Sequence, residues 1–147
     1  MFFWVAAFTL FADRFSKALV QAAMSPGESI PVLPPYFYLT YIVNPGAAFG
    51  IFAHRRLLFV AVTVLFLAGI IFSYKKLVSQ RVFTKYGLAL VWGGALGNLI
   101  DRLAYGAVVD FLDFRVWPVF NLADTAIVVG AGLIAFELTR EVLKNQE

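Results

Sequence analysis

The segment from Gly93 to Asp124, GGALGNLIDRLAYGAVVDFLDFRVWPVFNLAD, decides how the chain is organised. An apolar helix runs into Asn98, Asp101 and Arg102. A short connection then carries Asp110 and Asp113, and the chain enters its last apolar segment through Asn121 and Asp124. These polar groups stand between and inside stretches that otherwise suit lipid. An ionisable group in such a place is expensive, so it marks a candidate functional site.

The surroundings of that segment bear this out. Of 147 residues, 61% are hydrophobic and 14% charged, against ~45–50% apolar in an average soluble domain. The excess is surface that faces lipid, and the length suits one domain, 1–147, of a few spanning helices. The net charge of +3 comes from basic residues that flank the apolar runs and are not clustered for nucleic acid. There is no cysteine and one histidine, His54. Thiolate catalysis, thiolate metal sites, a histidine triad and a multi-histidine metal site are therefore excluded within one chain. No cofactor and no metal is expected.

Four apolar segments read as transmembrane helices, at about 2–24, 57–74, 82–100 and 122–138. The first lacks the basic start and small-residue cleavage pattern of a removable signal peptide. Inside it, Asp13 and Lys17 are spaced i, i+4, so they share a face and can pair. Residues 25–56 differ in composition. Pro26, Gly27, Pro31, Pro34 and Pro35 preclude a continuous helix, and the aromatic, β-branched run Tyr36 to Val43 favours a strand. The expected fold is an all-α membrane protein with four transmembrane helices and a small extracytoplasmic β-sheet between helices 1 and 2, since an open sheet edge cannot face lipid. Asn44-Pro45-Gly46 is a turn signal, and small residues follow through Gly50. Gly93-x-x-x-Gly97 in the third segment lets helices approach closely. Residues 101–121 form a second outer segment, with Gly106, Trp117 and Pro118 as breakers and interface anchors.

Orientation follows from charge. Lys75, Lys76, Arg81, Lys85, Arg140 and Lys144 lie on one side; Arg55, Arg56, Arg102 and Arg115 lie on the other. Six against four favours both termini in the cytoplasm and the acidic segments outside, with Arg55-Arg56 arguing the other way.

Two carboxylates and a water can hydrolyse a peptide bond without histidine, cysteine or metal. One takes the water's proton; the other, protonated, supports the carbonyl oxygen. Such a pair shares one proton, because like charges so close cannot both form. Asp101, Asp110, Asp113 and Asp124 all fall on the outer side, and by spacing alone each could be a helix-cap or loop carboxylate in solvent. Asn121 and Asp124 are i, i+3, so the amide can reach the carboxylate.

Five stretches in order carry a resemblance. They are Asp13-x-x-Ser16-Lys17; Asn44-x-Gly46-Ala47-Ala48-Phe49; Gly93 to Arg102; Val109-Asp110-Phe111; and Phe120-Asn121-x-Ala123-Asp124. Together they resemble the lipoprotein signal peptidases (signal peptidase II) nearly end to end, with Arg14 where many members carry glutamine. The resemblance implies that Asp110 and Asp124 are the catalytic aspartates of an aspartic endopeptidase. It implies that Asp13, Lys17, Asn44, Gly46, Asn98, Asp101, Arg102 and Asn121 bind substrate or support the pair. It also implies diacylglyceryl-modified prolipoprotein substrates cut before the lipidated cysteine, and a location in the bacterial inner membrane among its lipids, with the site at the outer face. A monomer is expected.

Other classes remain to be weighed. A small proton-coupled transporter would also use four helices and Asp13, but it does not need a large outer segment or carboxylates gathered at one edge. A scaffold would tolerate amides at its aspartates. A serine–lysine protease fails because Ser16 and Lys17 are helix neighbours that do not face each other.

Overall fold

Buried positions along the first apolar segment recur at Phe2, Ala6, Thr9, Asp13, Lys17 and Val20. They lie three or four residues apart, the repeat of one helix face. The opposite face turns Phe3, Trp4, Phe8, Phe11 and Phe15 outward, as a helix bathed in lipid would. The structure, a computed structural model, describes residues 1–46, 55–77, 81–144 and 146. The turn residues Ala47 to Gly50 and His54 lie outside the described residues.

The elements run α1 (Phe2–Ala23), β1 (Ser29–Leu33), β2 (Phe37–Asn44), α2 (Arg56–Leu77), α3 (Val82–Tyr105), β3 (Val108–Asp113) and α4 (Leu122–Lys144). Two helices, α2 over Arg56–Tyr74 and α4, are long and apolar enough to cross a membrane by composition alone. In α1 three charged groups, Asp13, Arg14 and Lys17, interrupt the apolar run. In α3 four glycines and Asn98 dilute it. All three later helices exceed their expected bounds. Lys75 and Lys76 are good helix formers and do not end α2; α3 ends only at Gly106, which adopts φ +77° and returns its N–H to the Arg102 carbonyl.

The sheet differs from expectation in one respect. Strands β1 and β2 form between α1 and α2 as expected, but a third strand joins them from the segment between α3 and α4. The order is β1-β2-β3, all antiparallel. The sheet therefore ties the segment after α1 to the segment after α3. Its inner face packs Tyr41, Val109 and Phe111 onto Val20 and Met24 at the end of α1. The register between β2 and β3 slips between Leu39 and Ile42, a bulge of the kind that re-aims side chains.

Helix α3 is the centre of the bundle and packs against each of the other three. Its glycines permit this. A Cβ at Gly93 would stand 2.6 Å from the Ala6 carbonyl oxygen of α1, and one at Gly94 would stand 2.5 Å from the Ala123 carbonyl oxygen of α4. Backbone thus meets backbone on both sides, as small residues allow. At the far end, Glu137 accepts the Thr84 N–H (2.7 Å) and Arg81 pairs with Glu141 (2.6 Å). This closes the α3–α4 contact.

Gly94→Val forces branched carbons into the Ala123 backbone, an overpacking that costs about 1–3 kcal/mol. The thermal midpoint in detergent should fall. Gly69→Ala, with nothing within 4 Å of the new carbon, should leave it unchanged or raise it. Equal midpoints for the two variants would contradict this account of α3.

Candidate active site

Asn121 precedes α4 and caps it. Its Oδ1 accepts the Asp124 N–H (2.9 Å), while Asp124 Oδ2 reaches back toward the Asn121 N–H (3.4 Å). This reciprocal pair is a capping box, and it holds the Asp124 carboxylate over the first turn. Asp110 is placed by strand pairing. It lies opposite Ile42 in the β2–β3 ladder, with Asn44 two residues further along β2, within diagonal reach. Asn44 Nδ2 donates to Asp110 Oδ2 (2.9 Å). The Gly46 N–H in turn donates to Asn44 Oδ1 (3.0 Å), which sets that amide.

The two carboxylates face one space. Asp110 and Asp124 line a cleft of about 170 Å³ together with Asn44 and the run Trp117 to Phe120. Each receives amide donors. Asn121 Nδ2 donates to Asp110 Oδ1 (2.7 Å), and Asn98 Nδ2 donates to Asp124 Oδ1 (2.8 Å). Burial pushes the Asp110 carboxyl up to about 7. The neighbouring Asp124 adds to the rise, and the hydrogen bonds from Asn44 and Asn121 and the charge of Lys17 only partly offset it.

Behind this pair lies a second tier with no access to solvent. The Lys17 ammonium contacts Asp13 (3.0 Å), Asp101 (2.8 Å) and Asn98 Oδ1 (2.9 Å). Asp13 Oδ1 accepts the Ala123 N–H (3.0 Å), and Asp101 Oδ2 accepts the Val109 N–H (3.3 Å). The i, i+4 pair of α1 thus reaches the starts of both α4 and β3. Asp101 turns away from the cleft and does not pair with Arg102. Its second cationic partner is Arg14, which had no assigned part and whose carboxylate lies 87 positions along the chain, so no local spacing could reveal it. Arg102 Nη2 approaches the Gly46 carbonyl (3.4 Å), and its guanidinium lies 4.9 Å from the Phe59 ring centroid.

Asp113 is set apart. It accepts from Thr40 Oγ1 (2.7 Å) and the Arg115 N–H (2.8 Å). Three residues beyond Asp110, it lies on the other side of the strand. Trp117 and Pro118, expected as breakers and interface anchors, also line the cleft; their position just before Phe120-Asn121 was the available signal. Arg56, which weighed against the expected orientation, donates to the Leu103 carbonyl at the end of α3 (2.6 Å). Asp124 also lines two further cavities. One, about 260 Å³, is of mixed character, with Asn98, Arg102 and Thr63 beside Val62, Phe66 and Ile127; the other, about 390 Å³, is mostly apolar, lined by Trp117, Phe120, Val128 and Val129. No group of three or more His, Cys, Asp or Glu side chains able to hold a metal occurs among the described residues.

The family model described as signal peptidase (SPase) II matches residues 5–140. The chain belongs to the signal peptidase II family. A lipoprotein signal peptidase of Pelotomaculum thermopropionicum is 58% identical over 145 residues, covering 99% of this chain and 95% of that protein. One from Moorella thermoacetica is 50% identical over 137 residues, covering 93% and 91%. Two solved bacterial membrane enzymes are also similar. One has a TM-score of 0.90 at 31% identity over 95% of this chain and 87% of its own; the other has 0.85 at 32% over 92% and 90%. The function is that of a signal peptidase II, and a proton-coupled transporter is not favoured. The matched residues span both tiers of the site, from Asp13 to Asp124.

Asn121→Ala removes the α4 cap, worth about 1 kcal/mol, and also the donor on Asp110. Signal peptidase activity should fall by up to about tenfold, the net worth of one hydrogen bond. The thermal midpoint should drop by only a few degrees. Full activity with a lowered midpoint would mean that Asn121 serves the helix alone.

Proposed function

We propose that this signal peptidase II is an aspartic endopeptidase that cleaves diacylglyceryl-modified prolipoproteins before the lipidated cysteine, with Asp110 and Asp124 as its catalytic pair. The observation that carries this is that both carboxylates line one small cleft and each accepts an amide hydrogen bond. Asp110, with its raised pKa, keeps the shared proton near neutrality. Asp124 takes a proton as water oxygen attacks the scissile carbonyl carbon. Asp110 gives its proton to the carbonyl oxygen. The tetrahedral intermediate collapses as the amine leaves with the proton held by Asp124 and Asp110 recovers its own. Arg102, beside Gly46 at the cleft's edge, presents a planar fork of donors to peptide carbonyls.

In this proposal all four helices span the bacterial inner membrane, both termini are cytoplasmic, and the sheet and cleft lie at the outer face. The charge of α1 is directed inward onto the site, so a helix with three charged groups can still show lipid an aromatic face. The substrate's acyl chains enter sideways and occupy the apolar groove of Trp117, Phe120, Val128 and Val129 beside Asp124. Binding energy from chains remote from the scissile bond then supports turnover as well as affinity. Every group of the pair and its frame comes from one chain, so a monomer suffices.

The test is cleavage of a diacylglyceryl prolipopeptide in detergent. Asp110→Asn and Asp124→Asn should each lower kcat by about 10²–10⁴, whereas Asp113→Asn should stay within about tenfold of wild type, since it carries no proton of the reaction. Activity of either dyad variant within that same margin would remove the assignment.

The pH profile gives a second check. A raised carboxyl pKa means that Asp110 holds its proton below about 7 and loses it above. The active singly ionised pair becomes a dianion as pH rises, so kcat/KM should fall on the alkaline side near that value. A plateau extending to pH ~9 would contradict the role given to Asp110.

A further inference from the structure

Asn98 stands between a group that can only donate and a group that, ionised, can only accept. An ammonium has three N–H bonds and no lone pair. The Asn98 atom that meets Lys17 Nζ at 2.9 Å must therefore be the carbonyl oxygen. That leaves Nδ2 for Asp124 Oδ1, at 2.8 Å. The same Asn98 oxygen accepts a second hydrogen bond, from Asn121 Nδ2 at 3.1 Å. The Asn121 NH₂ also meets Asp110 and the Val109 carbonyl (3.2 Å), and its oxygen meets the Asp124 N–H, so backbone groups set that second amide.

We propose that Lys17 is a positioning residue of the peptidase site: its donor-only ammonium fixes which way the Asn98 amide points, so that the Asp124 carboxylate faces an N–H group. This deepens the proposal that Asp110 and Asp124 are the catalytic pair and rests on it. A flipped Asn98 would set a carbonyl oxygen against Asp124 at hydrogen-bond distance, two acceptors with no proton between them. That contact disfavours the ionised Asp124 that must accept the water's proton. An amide alone has no means of choosing between its two orientations; a buried cation beside it does.

The charges facing Lys17 decide how it can be tested. Asp13 and Asp101 both contact it, and Arg14 pairs with Asp101. The four groups sum to zero. Lys17 replaced alone would leave the buried carboxylates of Asp13 and Asp101 with only the partly exposed Arg14 to balance them, which destabilises by its own route. Lys17→Met is therefore combined with Asp13→Asn. The pair removes one charge of each sign, and an asparagine oxygen can still accept the Ala123 N–H that Asp13 Oδ1 accepts now.

The experiment measures diacylglyceryl prolipopeptide cleavage for Asp13→Asn and for Asp13→Asn/Lys17→Met, with folding checked by thermal unfolding in detergent. Adding Lys17→Met should lower kcat on the order of tenfold to a hundredfold, the worth of one hydrogen bond to a charged group, with little change in KM. A merely structural role would lower kcat, raise KM and lower the thermal midpoint together. Identical kcat in the two proteins overturns the proposal.

A measurement that needs no change at Lys17 covers the case in which the double variant does not fold. With ¹⁵N-asparagine labelling, the Asn98 side-chain NH₂ resonance, assigned by Asn98→Asp, should shift markedly in Asp124→Asn. An unmoved resonance means that the NH₂ points elsewhere, and the proposal fails. Asp110→Asn and Asp124→Asn run in the same cleavage assay keep the two ideas apart. If they cleave normally, the catalytic pair is wrong. If they are inactive while Lys17→Met is silent, only the role of Lys17 is wrong.

Discussion

The Lys17 ammonium has no solvent contact, and the rest of the site depends on how its charge is met. Taking an ion of this size out of water carries an effective penalty of several kcal/mol. The penalty is tolerable only if every N–H finds an acceptor. Asp13 comes from its own helix, while Asp101 and Asn98 come from α3. The charge thus locks α1 to α3 in one register. The acceptors have further partners: Asp13 holds the start of α4 through Ala123, and Asp101 holds β3 through Val109. A single buried cation in this way fixes the relative places of the two elements that carry Asp110 and Asp124.

Around that charge the chain separates two solvents. The outward faces of α1 and α2 are aromatic and aliphatic, and the polar groups of α1 and α3 are turned inward onto one another. The glycines of α3 make this possible, since backbones packed in near contact leave room for side chains that bond rather than merely fill space. At Gly97 a side chain would collide with the Asp13 carboxylate itself. The sheet completes the enclosure at one end of the bundle. It joins the segment after α1 to the segment after α3, and the return of Phe120 against Leu112 delivers Asn121 to the cap of α4.

Much of this was legible in the sequence, and the remainder has physical reasons for being hidden. Apolar runs with charged ends announced four helices, and the i, i+4 spacing of Asp13 and Lys17 announced their pairing, because both signals are local. The capping relation of Asn121 to Asp124 was within reach for the same reason. Strand β3 was missed: VVDFLD is short and buried on both faces, so it lacks the alternation that marks a half-exposed strand. Arg14 was missed because its partner lies on another helix. The division of labour among the aspartates could not be read from spacing, which left Asp101, Asp110, Asp113 and Asp124 equal until the resemblance singled out two. The structure separates all four by partners: Asp101 to cations, Asp113 to Thr40 and Arg115, Asp110 and Asp124 to amides and one shared cleft.

The central claim is that two carboxylates in an amide frame share a proton near neutrality, held by Asp110. Infrared titration of the protonated-carboxyl stretch in the purified enzyme measures that proton directly. A band that disappears as pH rises through about 7, and that is absent from Asp110→Asn, is the predicted result. No carboxyl titrating above the usual carboxylate range, or a band that persists unchanged in Asp110→Asn, would contradict it.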